Sequence, residues 1–391
     1  MKLLYVFPEP LPLDRARGIQ TVYTLRSLAA QGIDTVLAHV PAAGDPFAAC
    51  SIEKPANVEL MAVSHRLPWP LARIHSNSIF VARLARRVHW CEIGAVMARH
   101  LKVARALLLR YPQLPLAYEA HEVFADTAAV HRSARVAELE RFVIERAAVL
   151  IANSQATASR LRERYAGAGK IVVIPNGVDV PPSIPDKDWA HAGDHIVYAG
   201  SFFGWKGVDD LVAAARDLAG MQITLMGGDD ASIERLRGIA SRWGTGGGTG
   251  EGTGEWKGEG KGGARLDFTG RLSHQRVQAA LIPACIAVLP NRAEPDSAFT
   301  SPIKLFEYMA AGCALVASDL PSVREILAVD EAAWVPPGDS AAIARAIRAL
   351  AEDPARAQAM GARVRVRAAR YSWSVRAESL TALLRPLLAD P

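Results

Sequence analysis

The chain has 391 residues, half of them hydrophobic and 22% charged, with 30 glycines and 24 prolines. This is a globular balance that excludes disordered, collagen-like and coiled-coil classes, and the length points to two domains, each able to bury its own core. The formal charge of +5 is uneven: nine basic residues against Glu92 give Met61–Arg110 a charge of +8, leaving −3 for the rest.

The pattern along the chain is short apolar runs alternating with segments of helical period. Leu3 to Phe7 reads as a buried strand stopping at Pro8, and Val22, Leu25, Leu28 and Ala29 mark a helix ended by Gly32. Strands follow at Thr35–Ala38, Val58–Val63 and Ile93–Met97, then a helix from Leu101 to Arg110. Leu116–Tyr118 is a further strand, ending at Glu119 and His121. A helix from Arg135 to Ala147 leads to the strands at Val149–Ala152 and Lys170–Ile174. The proline-rich Val180–Pro185 breaks the pattern as a linker would. The alternation then restarts: strands at His195–Gly200, Gln222–Met226, Leu266–Thr269, Ile286–Leu289, Ala314–Ala317 and Ala333–Val335, with a helix from Gly207 to Leu218 and helical period from Ala341 to Leu388. Such alternation predicts parallel sheets covered on both faces, in two doubly wound halves. Gly244 to Gly263, with 11 glycines in 20 residues, reads as a mobile insertion.

Five apolar residues between Lys2 and Pro8 are too few for a signal-peptide core. The longest uncharged stretch, Val277 to Asn291, holds two prolines and falls short of the ~20 apolar residues that span a bilayer. The four cysteines form no CxxC pair, which argues against a disulfide framework or structural zinc and for a reducing cytosol. The basic band suits an anionic surface, and equally a set of solvated helix arginines.

In open α/β sheets ligands bind beyond the carboxyl ends of the strands, so the loops there carry the candidates. Arg15-Ala16-Arg17-Gly18 opens a helix and could meet an anion or be a plain turn. His121 stands between Glu119 and Glu122 and suits either a polar ligand or a half-buried strand edge. Gly200 to Gly207 places Lys206 beside a helix start, a sound pyrophosphate site. Thr300 to Gly312 offers Ser301 as N-cap, Pro302 in the first turn, and Glu307 as an acceptor for a ribose diol or as a solvated acid.

The stretch from Ser301 to Gly312, continuing through Ala317-Ser318-Asp319-Leu320-Pro321-Ser322-Val323-Arg324-Glu325, resembles the signature region of the family 4 (group 1) retaining glycosyltransferases. Ile174-Pro175-Asn176-Gly177-Val178-Asp179 and Trp205-Lys206-Gly207 resemble further motifs of that family, in family order over most of the chain. The resemblance implies an α/β protein of GT-B fold, two Rossmann-like, doubly wound parallel-sheet domains facing a cleft. Acceptor binding is expected over residues 1–180, a linker over 181–194 and nucleotide-sugar binding over 195–370, including the insertion 244–263. A C-terminal helix over 371–391 is expected to cross back to the first domain.

By this resemblance Lys206 meets the donor diphosphate, Glu307 the ribose hydroxyls and His121 the donor sugar near the reacting centre; these are the expected catalytic residues. Gly18, Ser201, Arg271, Ser301, Pro302, Ile303 and Lys304 are expected on the donor side, and Arg17, Arg99 and His100 on the acceptor side. The sequence departs from the family pattern at Ser201, where an arginine is common, and at Phe299, where the signature has its first glutamate.

The expected reaction is retaining transfer of a sugar from a nucleotide-diphosphate sugar to a glycan, lipid-linked or small-molecule acceptor, in cell-surface polysaccharide or glycolipid synthesis. The nucleotide sugar is a substrate; no cofactor and no metal is expected. Asp186-Lys187-Asp188 has the Asp-x-Asp form of another transferase fold but falls in the linker. The expected location is cytoplasmic, with peripheral contact to an anionic membrane at its inner face, and no nucleic acid as partner. A nucleotide-sugar epimerase on the same fold and a non-catalytic nucleotide-sugar-binding subunit remain open as alternatives.

Overall fold

The computed structural model describes residues 1–13, 15–66, 76–127, 130–242, 247–249, 262–294 and 303–389. The chain forms two units, each built on one parallel sheet. The first unit begins with β1 (Lys2–Leu11), α1 (Ala16–Ala30), β2 (Thr35–Pro41) and β3 (Val58–Ala62). It continues with α2 (Asn77–Arg87), β4 (Ile93–Ala98), α3 (Leu101–Arg110), β5 (Leu116–Ala120), α4 (Phe124–Thr127), α5 (Val130–Arg146), β6 (Val149–Ala152), α6 (Gln155–Arg164) and β7 (Ile171–Val173). Its strand order is β3-β2-β1-β4-β5-β6-β7.

β1 does not stop at Pro8. The strand runs on to Leu11, and its register against β2 shifts between Phe7 and Pro10, an irregularity that accommodates residues without a backbone donor. Leu3 to Phe7 are buried on both faces, as a central parallel strand requires. Leu4 and Val6 pack toward Phe80, Leu84, Val103 and Leu107 of α2 and α3. Leu3, Tyr5 and Phe7 pack toward Val22, Leu25 and Leu28 of α1.

The second unit comprises β8 (Ile196–Ala199), α7 (Val208–Ala214), β9 (Gln222–Met226), α8 (Asp230–Ser241), β10 (Gly247–Thr249), β11 (Arg265–Gly270), α9 (His274–Leu281) and β12 (Ile286–Leu289). After these come α10 (Ile303–Ala310), β13 (Ala314–Ser318), α11 (Pro321–Arg324), β14 (Ala333–Val335), α12 (Ser340–Ala351) and α13 (Pro354–Ala368). The strand order is β10-β11-β9-β8-β12-β13-β14, with one apolar cluster on each face of the sheet. Of the glycine-rich stretch 244–263 only Gly247–Thr249, an edge strand beside β11, and Gly262–Gly263 lie within the described residues.

The closing helix α14 (Trp373–Leu388) belongs to the first unit. Leu380, Leu384 and Leu388 join the cluster under α1, and Trp373 stacks on Tyr23 with ring centroids 5.5 Å apart. Residues 181–194 fold as part of the second unit. Lys187 is buried there, with its ammonium donating to the Ala284 carbonyl, and a 3-10 turn spans Trp189–Asp194. Prolines remove the regular structure of this segment without removing its packing. Among the described residues no helix is long and apolar enough to cross a membrane.

Candidate functional site

In the second unit the strand order reverses between β8 and β12, the position where open α/β sheets take ligands. The loop leaving β8 ends at Gly207, which has φ of +68° and opens α7. A Cβ at this position would collide with the Pro290 carbonyl oxygen, so a glycine is required on both counts. Gly207→Ala is expected to cost about 1–3 kcal/mol of stability in urea unfolding; an unchanged midpoint would mean that the loop relaxes freely.

Lys206 precedes this turn. Its ammonium lies 3.9 Å from the centroid of the Trp205 ring and pairs with no carboxylate among the described residues. Burial, and then the neighbouring charge of Lys304, push the Lys206 pKa down to about 8. By contrast, Arg292, just beyond β12, is held by Asp210 through two 2.7 Å hydrogen bonds.

Glu307 lies on α10, buried from Leu305 to Ala310. That helix is seated on the end of β8 by Tyr308, whose hydroxyl accepts from the Ala199 amide at 2.7 Å and donates to its carbonyl at 3.2 Å. Glu307 is 5% exposed, accepts a 2.7 Å hydrogen bond from Lys304 Nζ, and lies 3.5 Å from His274 Nδ1. The structure thus brings Lys206, Lys304 and Glu307 to one strand-end region. Ile303 starts α10, while Ser301, Pro302 and Phe299 lie outside the described residues. Ser201 is half-buried and its carbonyl accepts from Tyr198 Oη at 2.9 Å. Arg271 is exposed in the turn after Gly270, whose carbonyl accepts from the Gly227 amide at 2.8 Å.

In the first unit the order reverses between β1 and β4. Gly18 lies in the first turn of α1, where a Cβ would strike the Leu13 carbonyl. Arg17 pairs with Glu9 at 2.6 Å. Arg99, directly after β4, donates from Nη1 to Gln20 Oε1 at 2.9 Å, and the Gln20 amide donates to Asn176 Oδ1. His100 Nε2 lies 3.4 Å from Asn77 Nδ2, and burial lowers the His100 pKa.

Glu119 is not at a strand edge. It sits inside β5, between β4 and β6, and is 1% exposed. Arg376 of α14 donates from Nη2 to Glu119 Oε1 at 2.5 Å and from Nη1 to the carbonyls of Ile174 at 3.0 Å and Pro175 at 2.7 Å. Burial by itself would raise the Glu119 pKa; Arg376, His121 and Arg99 outweigh it and hold the carboxyl well below its usual range. His121 Nε2 is 3.1 Å from Glu119 Oε1. Burial, then the charge of Arg99, push His121 down to about 4, so the ring is neutral at neutral pH.

The loop carrying His121 is fastened from two sides. Asn153 Nδ2 donates to the His121 carbonyl at 3.1 Å. The buried Glu140 accepts from the Phe124 and Ala125 amides, at 2.9 and 3.3 Å, and from Tyr165 Oη at 2.8 Å. The roles of Arg376, Gln20, Glu140 and His274 were not read from the sequence. Only Glu119 carried a signal, as an acid in an otherwise apolar strand that must find a partner. Among the described residues no group of three or more His, Cys, Asp or Glu side chains is arranged for a metal ion.

The family described as Glycosyltransferase Family 4 matches residues 18–181, and that described as Glycosyl transferases group 1 matches residues 193–353. No curated protein matches the chain in sequence. Among solved structures, sucrose-phosphate synthase from Thermosynechococcus elongatus is 20% identical, with a TM-score of 0.76 over 99% of both chains. HepE of Anabaena, solved in complex with UDP-glucose, is 17% identical, with a TM-score of 0.73 over 99% of this chain and all of that one. WaaG, a glycosyltransferase involved in lipopolysaccharide biosynthesis, is 14% identical, with a TM-score of 0.67 over 98% of this chain and 99% of its own. With one family description over each sheet unit and the two-sheet architecture shared from end to end, the chain belongs to the group 1, family 4 glycosyltransferases and has the GT-B fold.

Proposed function

We propose that this glycosyltransferase is a retaining hexosyltransferase using a nucleoside-diphosphate sugar. The observation that carries the reading is the strand-end cluster of the second unit: Lys206, with no carboxylate partner among the described residues, beside Lys304 and the buried Glu307. An ammonium held near pKa 8 meets a diphosphate at little further desolvation cost, and the anion restores its full charge. Glu307, already oriented by Lys304, offers oxygens to a ribose diol. The neutral ring of His121 suits a hydrogen bond to a sugar hydroxyl. Residues 195–370 are taken as the donor part of the chain, 1–180 as the acceptor part, and 371–391 as the returning helix.

In the proposed step the bond from the anomeric carbon to the diphosphate oxygen breaks, and the acceptor oxygen bonds to the same face. The acceptor proton passes to the leaving diphosphate oxygen. Lysine charge and helix-start amides stabilise that oxygen, and the nucleotide sugar is a substrate, with no separate cofactor. The UDP-glucose held by HepE supports a UDP-sugar as the first donor to try.

The exposed Arg86, Arg87, Lys102, Arg105 and Arg110 on α2 and α3 support peripheral contact with an anionic membrane at its cytoplasmic face. A lipid-linked or glycan acceptor, in polysaccharide or glycolipid synthesis, fits that placement.

Calorimetry with UDP, GDP, ADP and their glucose conjugates is the test. One nucleotide should bind, and Glu307→Ala should weaken it about tenfold or more, as loss of a charge-assisted pair of hydrogen bonds does. If no nucleotide binds, or if Glu307→Ala leaves affinity unchanged, the donor assignment is wrong.

A further inference from the structure

Among the described residues at the carboxyl ends of the first unit's strands, Arg99 is a half-buried cation with no carboxylate at ion-pair distance. Arg17 is paired with Glu9, and Arg376 with Glu119. Arg99 is different: among the described residues its side chain donates only to the neutral Gln20, at 2.9 Å from Nη1, and no carboxylate lies within ion-pair distance of it. A guanidinium has five N–H donors, so most of those on Arg99 remain to be used. The side chain is half-buried, where an unmatched charge is costly. Its charge is also felt locally, since it lowers the pKa values of both His121 and Glu119.

The position suits a ligand. Arg99 follows β4 at the point where the strand order reverses. It is held by Gln20, which is itself held by Asn176, so the fork is oriented in advance. His100 beside it has a buried Nδ1 with no hydrogen-bond partner among the described residues. Among the described residues no side chain caps helix α3, which begins at Leu101 and brings the positive end of its dipole to the same place.

We propose that the acceptor carries an anionic oxygen group, a phosphate or a carboxylate, which Arg99 grips through its guanidinium fork. This rests on the reading of the first unit as the acceptor part. Arg99 is then a specificity-determining residue: a neutral acceptor would leave its charge unmatched, and an anionic one satisfies it.

The test is calorimetric binding of glucose 6-phosphate, glucuronate and glucose to the full chain, with Arg99→Gln and, as a control for net charge, Arg345→Gln on the exposed side of α12. At least one anionic sugar should bind about tenfold or more tighter than glucose, with the preference lost in Arg99→Gln and kept in Arg345→Gln. A second arm uses co-sedimentation with phosphatidylcholine vesicles with and without phosphatidylinositol. Arg99-dependent binding only to the phosphatidylinositol vesicles also supports the proposal, with a lipid headgroup as the source of the phosphate. Should Arg99→Gln lower the melting temperature, Arg99→Lys, which keeps the charge and loses the fork, is expected to weaken the anion preference in its place.

Equal binding of glucose and the anionic sugars by the wild type, with no Arg99-dependent vesicle binding, overturns the proposal. So does an Arg99→Gln variant that loses UDP as severely as glucose 6-phosphate, because the arginine would then serve the donor. UDP binding in the same samples separates the two readings. If UDP binds and no anion preference exists, the acceptor inference falls and the transferase reading stands. If the Arg99-dependent preference exists without nucleotide binding, the anion site stands and the donor assignment falls.

Discussion

Arg376→Met is expected to destabilise the protein by about 3–5 kcal/mol, because it strands Glu119 as a buried, uncompensated charge. Both side chains are almost fully enclosed, at 2% and 1% exposure, so solvent screens the pair very little. Arg376 also serves the Ile174 and Pro175 carbonyls, and these would lose their donor as well. Denaturant unfolding checks the figure, and the double variant Glu119→Leu with Arg376→Met should recover part of the loss. The pH dependence has a definite sign. The folded pKa of Glu119 lies below its unfolded value, so the stabilisation is fully present above that unfolded value, about 4.3, and is lost as pH falls through the folded pKa. The gap between wild type and Arg376→Met should therefore be widest near neutrality and narrow only in acid. A variant within 1 kcal/mol of wild type at pH 7 would show that the pair contributes nothing net.

Lys206→Ala is expected to lower kcat by about 10²–10³, the loss that follows removal of one preorganised group aimed at developing negative charge. The side chain is already half-buried and depressed, so it spends little on desolvation when an anion arrives. Its pKa near 8 sets a pH limit on the free protein: nucleotide affinity should fall as pH rises through about 8, where the ammonium loses its proton. Binding a diphosphate raises that pKa again, so calorimetry at pH 8 in buffers of different ionisation heats should detect proton uptake that Lys206→Ala abolishes. Retention of kcat within tenfold, together with unchanged proton uptake, would move the diphosphate away from Lys206.

Much of this architecture was legible because burial leaves a local trace. Strands enclosed on both faces read as unbroken apolar runs, and helices between two layers show a three- and four-residue period. Lys206 and His121 could be placed in the loops beyond β8 and β5 for the same reason. Proline misled twice, since it reports lost backbone donors and not lost packing. The first strand passes Pro8 through a register shift, and the proline-rich residues after Val180 fold with the second unit and bury Lys187.

The amino-acid sequence by itself determined the two doubly wound sheets, the strand-end loops that carry charged residues, and the family to which the chain belongs. Tertiary structure alone decided which of those charges are matched. Arg376 and Glu119 are 257 residues apart, and nothing in the period or composition of α14 distinguishes that arginine from its helical neighbours. Arg99 is equally unremarkable within the basic band, yet it is held by neutral Gln20 while Arg17 and Arg376 are paired with acids. Hydrophobic burial acts through each residue's own environment and is written locally. Charge pairing depends on distances across the folded chain, and those exist only once the sheets have formed.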